Sequence, residues 1–299
     1  MMKYFIPLVL FCNIISAQTT SELCQKLVGD GSGKDATART AIMKMTHTSA
    51  IKNGNDRQLQ EKALLVALQK SPSAEVSTFL IQQLEICGGK SSLPILAQLL
   101  NDVKIGQNAV RALIKLAPFD AKLSEGLLLT ALNKSHDNSQ AYLLNALSVL
   151  KAKSDKTQEA FRQNLSSKGH SQIASFQGLA SIGAVKDQSS FLKAFSKASQ
   201  VNRGRLFRLN LLYVRNLAQN NKSAANKHLS TLKSQLKPSE IPFITGIASI
   251  DFEINGISDK WLQSIPQLNP HTQVGILRLL KTCKVQGLDA RIKTLCEQN

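Results

Sequence analysis

An all-α fold built from stacked helical hairpins is predicted by this sequence, on three observations. A short apolar helical pattern recurs about every 33 residues. The breaks between patterns carry Gly, Pro, Asn or Asp. No stretch shows strand-like alternation closed by hairpin turns. The recurring segments are 79–87, 109–117, 142–150, 175–183, 207–215, 243–251 and 274–282. Their central residues, Leu84, Leu113, Leu147, Leu179, Leu212, Ile247 and Leu279, are 29, 34, 32, 33, 35 and 32 residues apart. One hairpin cannot hide its own apolar stripe, so its neighbours must cover it.

The elements follow in order. Residues 1–17 read as a secretory signal peptide: Lys3 supplies the positive end, Tyr4 to Ile15 the apolar run, and Ser16-Ala17 a small-residue cleavage site. The run is too short to span a bilayer, and Phe11 before Cys12 excludes a lipoprotein site. No later run is long and apolar enough to cross a membrane, so export to the periplasm or the exterior is expected. Residues 18–299 then form one array. Ser21 caps a short helix over 21–28, and 29–34 is a flexible loop. The first hairpin pairs 35–46 with 56–69. The second pairs 74–87 with 92–100 across Gly88-Gly89, where a positive-φ helix cap is expected. Later hairpins pair 106–117 with 120–133, 138–150 with 155–165, 171–182 with 187–198, 203–218 with 224–236, 239–254 with 258–265, and 270–283 with 288–296. Most second helices start beside an Asp or Ser able to cap them.

With those residues in place, a family can be named. Segment 84–132 has a glycine break, the second helix Leu93–Leu100, a short Asn101-Asp102 turn, and an A-x-x-A-L start to the next unit at Ala109–Leu113. It resembles a HEAT-type repeat, and the chain has the look of exported bacterial HEAT-repeat proteins. The resemblance is clearest over 73–198. It implies a right-handed α-α superhelix of about eight hairpins, with function in a groove lined by second helices. The chain lacks the repeated Asp-Val-Arg segment of regular members, which removes the sequence basis for their Asp–Arg ladder.

Charge supplies the one constellation above background. The formal net charge is +17, and +16 without Lys3. Between Gln188 and Ser239 there is no Asp or Glu. The same 52 residues hold ten cations, among them Lys193, Lys197, Arg203, Arg205, Arg208, Arg215, Lys227 and Lys233. Arg205, Arg208 and Arg215 share a helix face, as do Lys193 and Lys197. Adjacent hairpins would join them into a basic surface whose field no nearby carboxylate cancels. A solvated basic face is the bland reading. The functional one is a site for a protein or an anionic polymer, such as an acidic polysaccharide or an anionic surface, with nucleic acid less favoured. Tyr213, Phe191, Phe195 and Phe207 are expected in the core, so stacking rings for single strands are lacking. Trp261, the single tryptophan, is expected to pack within the seventh hairpin.

Enzymatic signatures are sparse. The loop 29–37 lacks the first glycine of a phosphate loop and places Asp35 where Ser or Thr must bind magnesium. His47, His136, His170, His228 and His271 lie in separate repeats without metal spacing, and His136, His170 and His271 read as turn residues. Asp251 and Glu253 diverge on a helix. Glu240 sits in a first turn, where the helix dipole favours it. No cofactor is expected, and the chain reads as a non-enzymatic scaffold. The alternatives are a HEAT-like nucleic-acid enzyme such as a DNA glycosylase, and an adaptor beside a separate enzyme. Cys24, Cys87, Cys283 and Cys296 allow three disulfide pairings in an oxidising compartment, and proximity favours Cys24–Cys87 and Cys283–Cys296. A straight last helix would hold the second pair ~14 Å apart, beyond disulfide reach. Buried free thiols are the alternative.

Overall fold

The computed structural model describes residues 18–282, apart from 53, 72, 136, 168, 238, 239 and 269. The expected signal peptide, His136, Cys283, Cys296 and the second helix of the last hairpin lie outside the described residues. Among those described there is no β-strand, and no helix is long and apolar enough to cross a membrane.

The chain divides into two units, residues 1–120 and 121–299. The first contains α1 (Thr20–Cys24), α2 (Ala36–Lys52), α3 (Asn55–Gln69), α4 (Ala74–Cys87), α5 (Ser92–Gln98) and α6 (Gly106–Leu116). Its α2, α4 and α6 pack in sequence as one row, with α3 and α5 beside them as a second. The second unit contains α7 (Ala121–Leu132), α8 (Asp137–Val149), α9 (Asp155–Gln163), α10 (His170–Ile182), α11 (Gln188–Ser196), α12 (Gln200–Asn220), α13 (Lys222–Ser234), α14 (Ile241–Asn255), α15 (Asp259–Ser264) and α16 (Pro270–Thr282). Here α8, α10, α12, α14 and α16 form one row, and α7, α9, α11 and α13 run alongside.

Local chemistry accounts for the helix ends. The Thr19 hydroxyl accepts from the Glu22 backbone N–H while the Glu22 carboxylate accepts from the Thr19 N–H, so the cap is Thr19 and not the expected Ser21. Ser73, Ser154, Asn221 and Ser258 cap α4, α9, α13 and α15 from one side only, each side-chain oxygen accepting a first-turn backbone N–H. Gly88 departs from expectation. Its φ is −65°, and glycine is needed because a Cβ would lie 2.5 Å from the Leu84 carbonyl oxygen. The left-handed cap appears instead at Gly183, with φ +66°.

The repeat registers match at Leu84, Leu113, Leu147, Leu179 and Ile247, all nearly inaccessible to solvent. They slip at two places. Leu212 and Leu279 are only half-buried, and the core positions belong to Tyr213 and Leu280. Tyr213 can be buried because its hydroxyl donates to the Ala184 carbonyl at 2.7 Å, while its ring stacks on Phe191 at 4.3 Å between centroids. Phe207 and Phe243 stack at 4.2 Å one hairpin along, beside Phe195.

Successive hairpins are tied by polar bridges. Arg39 of α2 pairs with Glu75 of α4, Glu85 of α4 with Arg111 of α6, and Arg215 of α12 with Glu253 of α14. In the companion rows, Glu61 of α3 accepts from the Gly89 N–H and the Ser92 hydroxyl at the head of α5. Glu125 of α7 likewise accepts from Ser154 and Thr157 at the head of α9. Arg162 of α9 grips Asp187 before α11 through two hydrogen bonds. A ladder therefore exists, built mainly from Arg–Glu and Glu–Ser contacts rather than from an Asp-Val-Arg motif.

The proposed Cys24–Cys87 disulfide is absent, and both residues are free thiols. Cys24 ends α1, which packs on α2 and α3. Cys87 is fully buried at the end of α4, where Arg57 donates to its carbonyl at 2.9 Å. Burial pushes the Cys24 thiol up to about 11 and the Cys87 thiol to about 12.

Candidate binding surfaces and a polar cleft

The predicted cations do not form one surface. Arg203 is buried and belongs to the core, which corrects its assignment as a partner-binding residue. Its guanidinium pairs with Glu240, donates to the carbonyls of Phe195 (2.9 Å) and Gln235 (2.8 Å), and lies 4.1 Å from the Phe195 ring centroid. These bonds hold the ends of α11 and α13 and the start of α14 around α12. That network keeps the Glu240 carboxyl below its usual range. Arg215 is exposed but paired with Glu253 at 2.8 Å.

The remaining cations fall on opposite sides of the double row. Helix α12 turns Asn210 and Tyr213 toward α11 and α13, where they meet Phe191 and His228. At 100° per residue, Arg205 and Arg208 emerge on the opposite side of α12, together with the exposed Val201. Helices α11 and α13 bury Phe191, Phe195, Ala225, His228, Leu229 and Leu232. Lys193, Lys197 and Lys227 therefore project from the far side of the companion row and are exposed. None of Lys193, Lys197, Arg205, Arg208 and Lys227 makes an ion pair among the described residues.

Lys233 has a different setting. It lines a cleft of about 270 Å³ between α13, α14 and α15. Its ammonium lies 4.6 Å from the centroid of the Trp261 ring. Trp261 packs edge-on against Phe252, in the seventh hairpin as expected, and its indole N–H donates to Asp251. The other Asp251 oxygen accepts from Asn255 at 2.6 Å. Asn255 in turn exchanges two hydrogen bonds with Asn226, at 2.8 and 3.2 Å. The chain Trp261–Asp251–Asn255–Asn226 thus fixes the orientation of each member. Sequence reasoning separated these residues. The available signal was the i, i+4, i+7 spacing of Asn226, Ser230 and Lys233 beside the i, i+4 pair Asp251 and Asn255.

His228 sits behind this surface with no solvent exposure. Asn210 donates its amide to the Leu206 carbonyl at 2.9 Å, so its side-chain oxygen must accept the His228 Nε2 proton at 2.8 Å. Nδ1 is left as an unpartnered lone pair, and burial pushes the imidazole pKa down to about 4. Among the described residues no three His, Cys, Asp or Glu side chains gather as a metal site.

No protein-family model matches this chain, and no curated protein matches it.

Proposed function

We propose that this chain is an exported, non-enzymatic repeat scaffold whose HEAT-like hairpins form a right-handed superhelix and bind a protein or an anionic polymer. The exposed cations without ion partners carry the reading. Lys193 and Lys227 stand on second helices, Lys197 caps the end of α11, and Arg205 and Arg208 stand on a first helix, in a window without a single carboxylate of its own. Uncompensated exposed charge attracts anions over about 8–10 Å at ordinary salt. The aromatic side chains of this region, Phe191, Phe195, Phe207 and Tyr213, are buried. That favours recognition by charge and shape over base stacking.

The test is binding of the full mature chain to an immobilised polyuronate from 50 to 500 mM salt, with an envelope extract as a parallel source of protein ligands. Affinity is expected to fall as salt rises. It should fall further in Lys193→Glu/Lys197→Glu or in Arg205→Glu/Arg208→Glu, whichever side faces the ligand. Salt-independent binding, or equal capture by wild type and both variants, would remove the electrostatic mechanism.

A further inference from the structure

The cleft between α13, α14 and α15 has the chemistry of a ligand subsite, and resting on the reading above we propose that it takes one uronate unit of an acidic glycan. Three features point to this class. The floor is apolar, made by Leu229, Ile247 and the indole of Trp261, all at least nine-tenths buried. The wall is an amide and carboxylate relay, Asn226–Asn255–Asp251, whose members already hold one another. A relay satisfied in this way is oriented before any ligand arrives. What remains for a ligand is the Lys233 ammonium, which makes no ion pair among the described residues, and the hydroxyls of Ser230 and Ser258 at the rim.

That inventory discriminates among anions. Single-strand nucleic acid needs an open ring face, and Trp261 is only 7% exposed, with Lys233 lying across it. A multiply charged phosphate would bring two negative charges to a single cation. An acidic peptide would present several carboxylates to that single ammonium. A single uronate unit brings one carboxylate to the one ammonium and ring hydroxyls to the serine hydroxyls at the rim. At about 270 Å³ the cleft is just below the roughly 300–1,000 Å³ of drug-sized pockets, the scale of a single ring.

Trp261 is the only tryptophan, so indole emission of the intact protein reports on this cleft alone. The experiment titrates the full mature chain with oligogalacturonate and oligomannuronate, with their methyl esters, and with inorganic sulfate. Calorimetry is run in parallel. A saturable emission change with a free uronate and none with the esters or sulfate is expected. Lys233→Met should weaken binding at least ten-fold. Ser230→Phe, which fills the rim without touching the relay, should do the same in calorimetry. Two outcomes overturn the subsite alone: polyuronate captured in a salt-dependent manner with Trp261 emission and Lys233→Met affinity unaltered, or sulfate reproducing the uronate response. Failure of every polyanion and every extract protein to bind at 50 mM salt would overturn the subsite and the scaffold reading together.

Discussion

Acidification should weaken the second unit through one residue, His228. The imidazole is fully buried between α12 and α13, donates from Nε2 to Asn210, and offers Nδ1 to nothing. A second proton would place a charge in the core with no acceptor for it. Its pKa is about 4 in the fold against the ordinary 6.5 in the unfolded chain. The unfolded state therefore binds more protons throughout this window, and stability rises with pH across it. The contribution is complete above pH 6.5 and lost as pH falls toward 4. The two values imply a loss of about 2 kcal/mol at pH 5 and about 3 kcal/mol at pH 4. Urea unfolding followed by circular dichroism from pH 7 to 4 measures it, with His228→Gln as reference. The glutamine amide can still donate to Asn210 but does not titrate. Asp35, Glu125 and Glu240 are all held below the usual carboxylate range, so their own losses fall mainly at the acid end. Wild type should lose the stated amount beyond what His228→Gln loses. Parallel pH profiles, or a His228 imidazole resonance (assigned by its loss in His228→Gln) titrating near 6.5 in the folded protein, would refute the reasoning.

Three further outcomes follow from the packing. Arg203→Met strands the Glu240 carboxylate in a site where both side chains are more than four-fifths covered, and should cost about 3–5 kcal/mol in urea unfolding at neutral pH. The same variant should leave salt-dependent polymer capture intact once folded. Gly183→Ala forces a left-handed φ of +66° on alanine and sets a Cβ 2.5 Å from the Leu217 nitrogen. At least about 1–2 kcal/mol should be lost, read as a lower thermal midpoint. Cys24 and Cys87 should resist a thiol reagent at pH 8 and react only after denaturation, as mapped by mass spectrometry, because burial holds both thiols protonated.

The hairpin plan was legible because stripe and breaker repeat together. Helix α4 starts and ends at the residues read from sequence, Ala74 and Cys87. The slips have physical causes. Helix α12 begins at Gln200 rather than Arg203, with Ser199 at its N-cap, so Arg203 lies within the first turns and looks inward to a carboxylate. Tyr213 displaces Leu212 from the core because a polar hydroxyl that finds a carbonyl costs little to bury. The left-handed helix cap lies at Gly183 and not at the Gly88-Gly89 pair, since a break in sequence does not say which backbone turn makes it.

The candidate site was less legible, for a reason that belongs to repeat folds. A window without carboxylates in sequence is not one in space, because each hairpin lies against the next. Glu240, Asp251 and Glu253 all fall after the acid-free stretch, yet they reach back one hairpin to Arg203, to the cleft around Lys233 and to Arg215. The separations of 37 and 38 residues in the two ion pairs are close to one repeat. Charge in such a chain must be counted with the following repeat folded back upon it. Counted so, Arg203 and Arg215 become struts and Lys233 becomes the cation of a polar cleft. Arg205 and Arg208 on one side, and Lys193, Lys197 and Lys227 on the other, make no ion pair among the described residues and keep the uncompensated charge that long-range attraction requires.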